Sequence, residues 1–239
     1  MFKEEQMNVL AIGPHPDDIE CYAGGTLALY AAAGHRIFNA CITNGNMGSM
    51  EYEPGELAQI REGEARAAAD VIGAELIWAG LDDASLTGSI DNRNIFIDIL
   101  RRSRPDVILC PSPDDYHPDH RTCSLLAQDA ALLASAPLIK TEHGAADRTP
   151  YIFWYDHPNG AAFEPEEYVD ITETMETKLR MIACHRSQTS WLKAQYGMDF
   201  AYSFETMARF RGLACGCRFA EGFRLNRSFP GCAPKRLLP

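Results

Sequence analysis

Two short segments carry the residue types that metal-assisted hydrolysis needs. Pro14-His15-Pro16-Asp17-Asp18-Ile19-Glu20 and Asp114-Asp115-Tyr116-His117-Pro118-Asp119-His120-Arg121 together supply three imidazoles and a set of carboxylates. In each, a His-Pro pair biases the histidine toward an extended backbone and lets proline open the next helix, where its missing N–H costs nothing. Imidazole plus carboxylate is the ligand set of a catalytic zinc, which takes three protein ligands and keeps one position for water. Adjacent Asp17 and Asp18 cannot easily both reach one ion. One suits a ligand and the other a base toward the attacking water. Taken singly, each segment also has an ordinary reading, because Asp near a helix N-terminus is favoured by the helix dipole. What decides is whether the two segments converge.

The surrounding pattern places them together. Asn8–Gly13 and Arg36–Thr43 read as buried strands, as do Ala74–Ala79 and Asp106–Cys110. Helical periodicity falls at about Tyr22–Ala33, Glu56–Ile72, Asp91–Arg102 and Pro118–Ala134. This alternation predicts an α/β, Rossmann-like doubly wound, mostly parallel sheet with helices on both faces. In the order 3-2-1-4, strands 1 and 4 are neighbours at the switch point, and ligands bind beyond their carboxyl ends. The two histidine segments follow those two strands. His15, Asp17, Asp18, His117 and His120 are therefore expected in one crevice.

Beyond Thr149 the regularity loosens. Tyr151–Tyr155, Tyr168–Ile171 and Arg218–Leu225 read as strands and Thr172–Cys184 as a helix. No Pro/Gly/Ser-rich linker intervenes, so residues 1–135 are expected to form the core, and 136–239 a C-terminal extension and cap of a single domain, 1–239.

The chain has 239 residues with 22 Lys and Arg against 33 Asp and Glu, a net charge of −11. That balance, without a clustered basic surface, argues against a nucleic-acid partner. No stretch reaches the ~18 apolar residues of a membrane span, and the N-terminus lacks an apolar signal region. The eight cysteines read as reduced thiols and the protein as cytoplasmic.

The two histidine segments, with Gly24-Gly25-Thr26, resemble the signatures of the PIG-L/LmbE-like zinc N-deacetylases. Thr43-Asn44-Gly45, Arg61-Glu62-Gly63-Glu64, His185-Arg186-Ser187-Gln188 and Ala220-Glu221-Gly222-Phe223-Arg224 extend the resemblance over most of the chain. It implies His15, Asp18 and His120 as metal ligands, Asp17 as general base, and His117 as the group that stabilises the oxyanion or protonates the leaving amine. Arg61 falls on an arginine implicated in substrate binding, so its loss is expected to raise KM. Tyr116 stands one residue from where some members carry a catalytic-loop tyrosine, and that role is not transferred to it. The implied cofactor is Zn2+, with Fe2+ as the other candidate. The implied partner is a small-molecule N-acetylated substrate of the N-acetylglucosamine type. A homo-oligomer is compatible with the sequence.

Other features have plainer readings. Gly24-Gly25 opens a helix without the G-x-G-x-x-G of a dinucleotide site and suits close helix packing. Cys215-Gly216-Cys217 lacks the second pair or histidine that would complete a metal site. His35 and His143 read as loop residues. His185 could reach the crevice or satisfy a buried backbone group. The alternative from another class is a non-catalytic metal-containing small-molecule binding or sensing protein, against which Asp17 and His117 argue, since a binder needs neither base nor acid.

Overall fold

The computed structural model describes residues 6–158, 160–228 and 238. Seven strands form one sheet in the order β3-β2-β1-β4-β5-β7-β6. The first half is β1 (Asn8–Gly13), α1 (Asp18–Ala32), β2 (Arg36–Thr43), α2 (Pro54–Asp70), β3 (Glu75–Leu81), α3 (Ile90–Ser103), β4 (Val107–Cys110) and α4 (Pro118–Leu133). Then follow β5 (Tyr151–Tyr155), β6 (Glu167–Asp170), α5 (Met175–Ile182), α6 (Arg186–Tyr196), α7 (Phe200–Cys215) and β7 (Ala220–Leu225). β1 pairs in parallel with β2 and β4, β2 with β3, and β4 with β5. β7 is antiparallel to both β5 and β6.

Alternation along the central strands explains the helices on both faces. Val9, Ala11, Val107 and Leu109 point into a core shared with Leu27 of α1, Met175 of α5 and Phe204 of α7. Leu10, Ile12, Ile108 and Cys110 point the other way, onto Phe96 and Leu100 of α3 and Leu126 of α4. Strands buried on both faces become continuous apolar runs, which is why they stand out in the sequence. No helix among the described residues is long and apolar enough to cross a membrane.

The helix after β1 starts at Asp18, four residues before the periodicity suggests, because its first turn is the site itself. Two later helices, α6 and α7, also go beyond the sequence reading. The α1 helix is fixed to the second half of the chain in an unusual way. The Glu221 carboxylate accepts hydrogen bonds from the N–H groups of Gly25 (2.9 Å) and Thr26 (2.8 Å), in mid-helix. Lys178 donates to Glu221 (2.6 Å) and to the Cys21 carbonyl (2.7 Å). A Cβ on Gly25 would lie 2.7 Å from Ile171, so glycine is what lets α1 approach so closely.

Candidate active site

The carboxyl ends of β1 and β4 lie side by side, and the two histidine segments leave from them. The β1 turn is tight. Asp18 Oδ2 accepts the His15 backbone N–H at 2.8 Å, and Asp17 takes φ 123°, a left-handed conformation rare for a residue with a side chain. That strain is held by Arg61, whose Nη2 donates to the Pro16 carbonyl (2.6 Å) and Nη1 to the Gly45 carbonyl (3.1 Å). Such outliers concentrate where the surrounding structure over-determines a functional turn.

Asp18 is the hub. Its carboxylate lies 3.2 Å from His15 Nδ1 through one oxygen and 3.4 Å from His120 Nε2 through the other. Two donors held ~2.1 Å from a single tetrahedral ion stand about 3.4 Å apart, so each of these two pairs is spaced as co-ligands would be. The trios at this site whose donor atoms all lie within 4.8 Å of one another are His15, His117 and His120, and His15, Asp83 and Asp119. The remaining ring nitrogens are anchored by carboxylates. His120 Nδ1 lies 2.8 Å from Asp115 Oδ2. His15 Nε2 lies 3.1 Å from Asp83 Oδ1 and 3.4 Å from Asp119 Oδ2. Carboxylates behind imidazoles fix the tautomer and leave the opposite lone pair free for a metal. His117 joins the group, with a ring nitrogen within 4.8 Å of the donor atoms of His15 and His120.

Asp17 is buried beside this cluster and has a different partner. Its Oδ2 lies 3.6 Å from Arg61 Nη2. Burial pushes the Asp17 carboxyl up to about 6, against the pull of the Arg61 guanidinium. Burial lowers the His117 imidazole from its ordinary value, and the neighbouring imidazoles of His15 and His120 lower it further. The Asp119 backbone N–H donates to His117 Nδ1 at 3.3 Å. A neutral His117 must then carry its proton on Nε2, as a hydrogen-bond donor.

All five residues expected in the crevice are therefore together. Arg61 is at the site too, but 2% exposed and occupied with protein oxygens, rather than projecting from a rim. Glu64, three residues further along α2, accepts hydrogen bonds from Ser187. His185 is fully buried, and its Nε2 lies 3.2 Å from Glu20 Oε2 on α1. Tyr116 is 67% exposed beside His117. Cys215 and Cys217 stand with their sulfurs 3.5 Å apart and no histidine near them among the bonds described. Cys232 lies outside the described residues. Sequence reasoning missed the anchoring roles of Asp115 and Asp83. Asp115 was visible as the acid five residues before His120, whereas Asp83 comes from the β3–α3 loop and carries no local signal.

This chain belongs to the family described as PIG-L, GlcNAc-PI de-N-acetylase, whose model matches residues 10–131. A diacetylchitobiose deacetylase of Thermococcus kodakarensis is 31% identical, over 90% of this chain and 82% of its own. The structure of the N,N'-diacetylchitobiose deacetylase of Pyrococcus horikoshii, also 31% identical, superposes with a TM-score of 0.80 over 91% of this chain and 83% of that one. A 4-oxalmesaconate hydratase of Pseudomonas putida is 29% identical, over 77% of this chain and 74% of its own.

Proposed function

We propose that the protein is a zinc-dependent hydrolase that removes the N-acetyl group from a small N-acetylglucosamine-type substrate. The observation that carries this reading is the division of labour between neighbouring aspartates. Asp18 is shared by His15 and His120, while Asp17 pairs with Arg61. His15, Asp18 and His120 would hold the ion, for which Zn2+ suits the nitrogen and oxygen donors and Fe2+ is the other candidate. When bound it would polarise the acyl oxygen and lower the pKa of water.

The chain's own groups supply the rest. Asp17 takes a proton from the attacking water as its oxygen bonds to the acyl carbon. The His117 Nε2–H donates to the oxygen on which negative charge develops. As the C–N bond breaks, the nitrogen takes the proton that Asp17 received, so acetate and a free amine leave. Arg61 acts here as a positioning residue, holding the turn that presents Asp17. The protein partner set is thus one N-acetylated small molecule.

Hydration, the reaction named for the Pseudomonas putida relative, uses a substrate named as an anion. The arginines near the crevice, Arg61, Arg121 and Arg224, are each engaged by protein oxygens, which favours an uncharged substrate. The test is zinc-loaded protein assayed for amine release from a panel of N-acetylated sugars, beside hydration of an unsaturated polycarboxylate. Amine release alone is expected. Hydration without amine release would overturn the reading.

A further inference from the structure

Beside Asp170, the last residue of the edge strand β6, the chain carries a pair of thiols that the hydrolytic reading leaves unused. Helix α7 ends at Cys215, and Gly216 follows it in the left-handed region at φ 81°, which glycine adopts freely. The N–H groups of Gly216 (2.8 Å) and Cys217 (3.0 Å) both donate to the Gly212 carbonyl, which closes the helix and reverses the chain. The reversal brings Cys215 Sγ and Cys217 Sγ to 3.5 Å from each other. A disulfide holds its sulfurs at ~2.05 Å, so side-chain rotation with a small shift of the turn suffices to join them.

The two thiols are not equivalent. Cys215 is exposed, its Sγ set against the helix carbonyls of Arg211 (3.5 Å) and Gly212 (3.8 Å). Cys217 is partly buried and donates to the Phe219 carbonyl at 3.2 Å. Burial pushes the Cys217 thiol up to about 12, with Cys215 and the Asp170 carboxylate adding to the shift. An incoming reagent therefore meets the Cys215 sulfur first, while Cys217 waits beside it as a protonated thiol. Cys21, Cys41, Cys110 and Cys123 are buried out of reach of such a reagent.

We propose that Cys215 and Cys217 form a site of reversible thiol–disulfide exchange whose co-reactant is a low-molecular-weight disulfide. This goes beyond the deacetylase reading and does not rest on it. Cys215 gives its proton to solvent and attacks one sulfur of the small disulfide. That S–S bond breaks, a mixed disulfide forms on Cys215, and the first small thiol leaves with a proton from solvent. Cys217 then gives up its proton and attacks Cys215 Sγ, which joins the two protein sulfurs and expels the second small thiol. The protein pair is oxidised by two electrons and the small disulfide is reduced to two thiols.

The test equilibrates native, zinc-loaded protein in buffers of reduced and oxidised glutathione, blocks free thiols with N-ethylmaleimide and maps tryptic peptides by mass. The peptide 212–218 holds Cys215 and Cys217 and no other cysteine. It should pass from doubly alkylated to internally closed as the oxidised share rises, and return when the buffer is made reducing. Because the fold holds the sulfurs together, its closed-to-open ratio should exceed that of the synthetic peptide 212–218 in the same buffer by at least about tenfold. Cys217→Ser should stop at a mixed disulfide on Cys215. In Cys215→Ser, Cys217 should take up glutathione at least about tenfold more slowly than Cys215 does in Cys217→Ser. No closure in the native protein, glutathione retained on both sulfurs, a ratio no higher than that of the free peptide, or faster reaction at Cys217 than at Cys215 overturns the proposal.

Discussion

Arg61 Nη2 lies 3.6 Å from Asp17 Oδ2, and both side chains are buried. An ion pair in that setting is a mechanical link as much as an electrostatic one, because the same guanidinium also holds the Pro16 and Gly45 carbonyls. The expected defect on losing it therefore moves from KM toward kcat. Arg61→Ala should lower kcat at least tenfold with zinc content retained, and should cost about 1–3 kcal/mol of stability through the carbonyls left unpaired. Arg61→Lys should recover only part, since a point charge cannot span both carbonyls. Steady-state kinetics and thermal unfolding check this, and a rise in KM with kcat intact would return Arg61 to direct substrate contact.

Asp17 and Asp18 are adjacent in sequence but separable in function. Asp18→Ala should lose metal and activity together, because it removes the oxygens shared by His15 and His120. Asp17→Asn should retain about one zinc per chain while turnover falls by orders of magnitude. Metal analysis beside activity reads both. Wild-type turnover in Asp17→Asn would end the general-base assignment.

Asp115 supports the site from behind. Its fully buried carboxylate lies 2.8 Å from His120 Nδ1 and accepts the His117 backbone N–H at 2.9 Å. Asp115→Asn should weaken zinc affinity ~10–100-fold, as outer partners of metal-binding histidines typically do. A chelator competition titration measures it, and unchanged affinity would reduce Asp115 to a loop anchor.

The legible parts of the fold are those whose signals are local. The strands β1, β2 and β4 are buried on both faces and therefore read as apolar runs, and the His-Pro pairs mark where each histidine segment turns. The strand order 3-2-1-4 then brings the two segments together without further information. The helix α6 is not legible in the sequence for a physical reason. The α6 helix buries no side chain, so its sequence has no apolar stripe. Glu221 was noticed only as part of a resemblance. Its role, accepting N–H groups from a helix 195 positions away in the chain, exists only in three dimensions. Asp83 is similar, since its carboxylate meets His15 only because the β3–α3 loop folds over the crevice.

The buried Lys178–Glu221 pair is predicted to govern the stability of the helix that carries Asp18. Lys178→Met would leave the Glu221 carboxylate buried beside the Gly25 and Thr26 N–H groups without its counter-charge. A loss of about 3–5 kcal/mol is expected. Denaturant unfolding reads it directly, and a loss under 1 kcal/mol would mean that the backbone N–H groups alone satisfy Glu221.

A single turnover in water enriched in oxygen-18 tests most directly the claim that this crevice hydrolyses an N-acetyl group by direct attack of water. Zinc-loaded protein, in excess over an N-acetylated sugar that it turns over, should release acetate carrying one labelled oxygen together with one equivalent of free amine. Unlabelled acetate, with the oxygen-18 found in a protein carboxylate, would mean that this carboxylate had attacked the acyl carbon and that water had then cleaved the mixed anhydride at the protein's own carbonyl, and no acetate at all would contradict deacetylation itself.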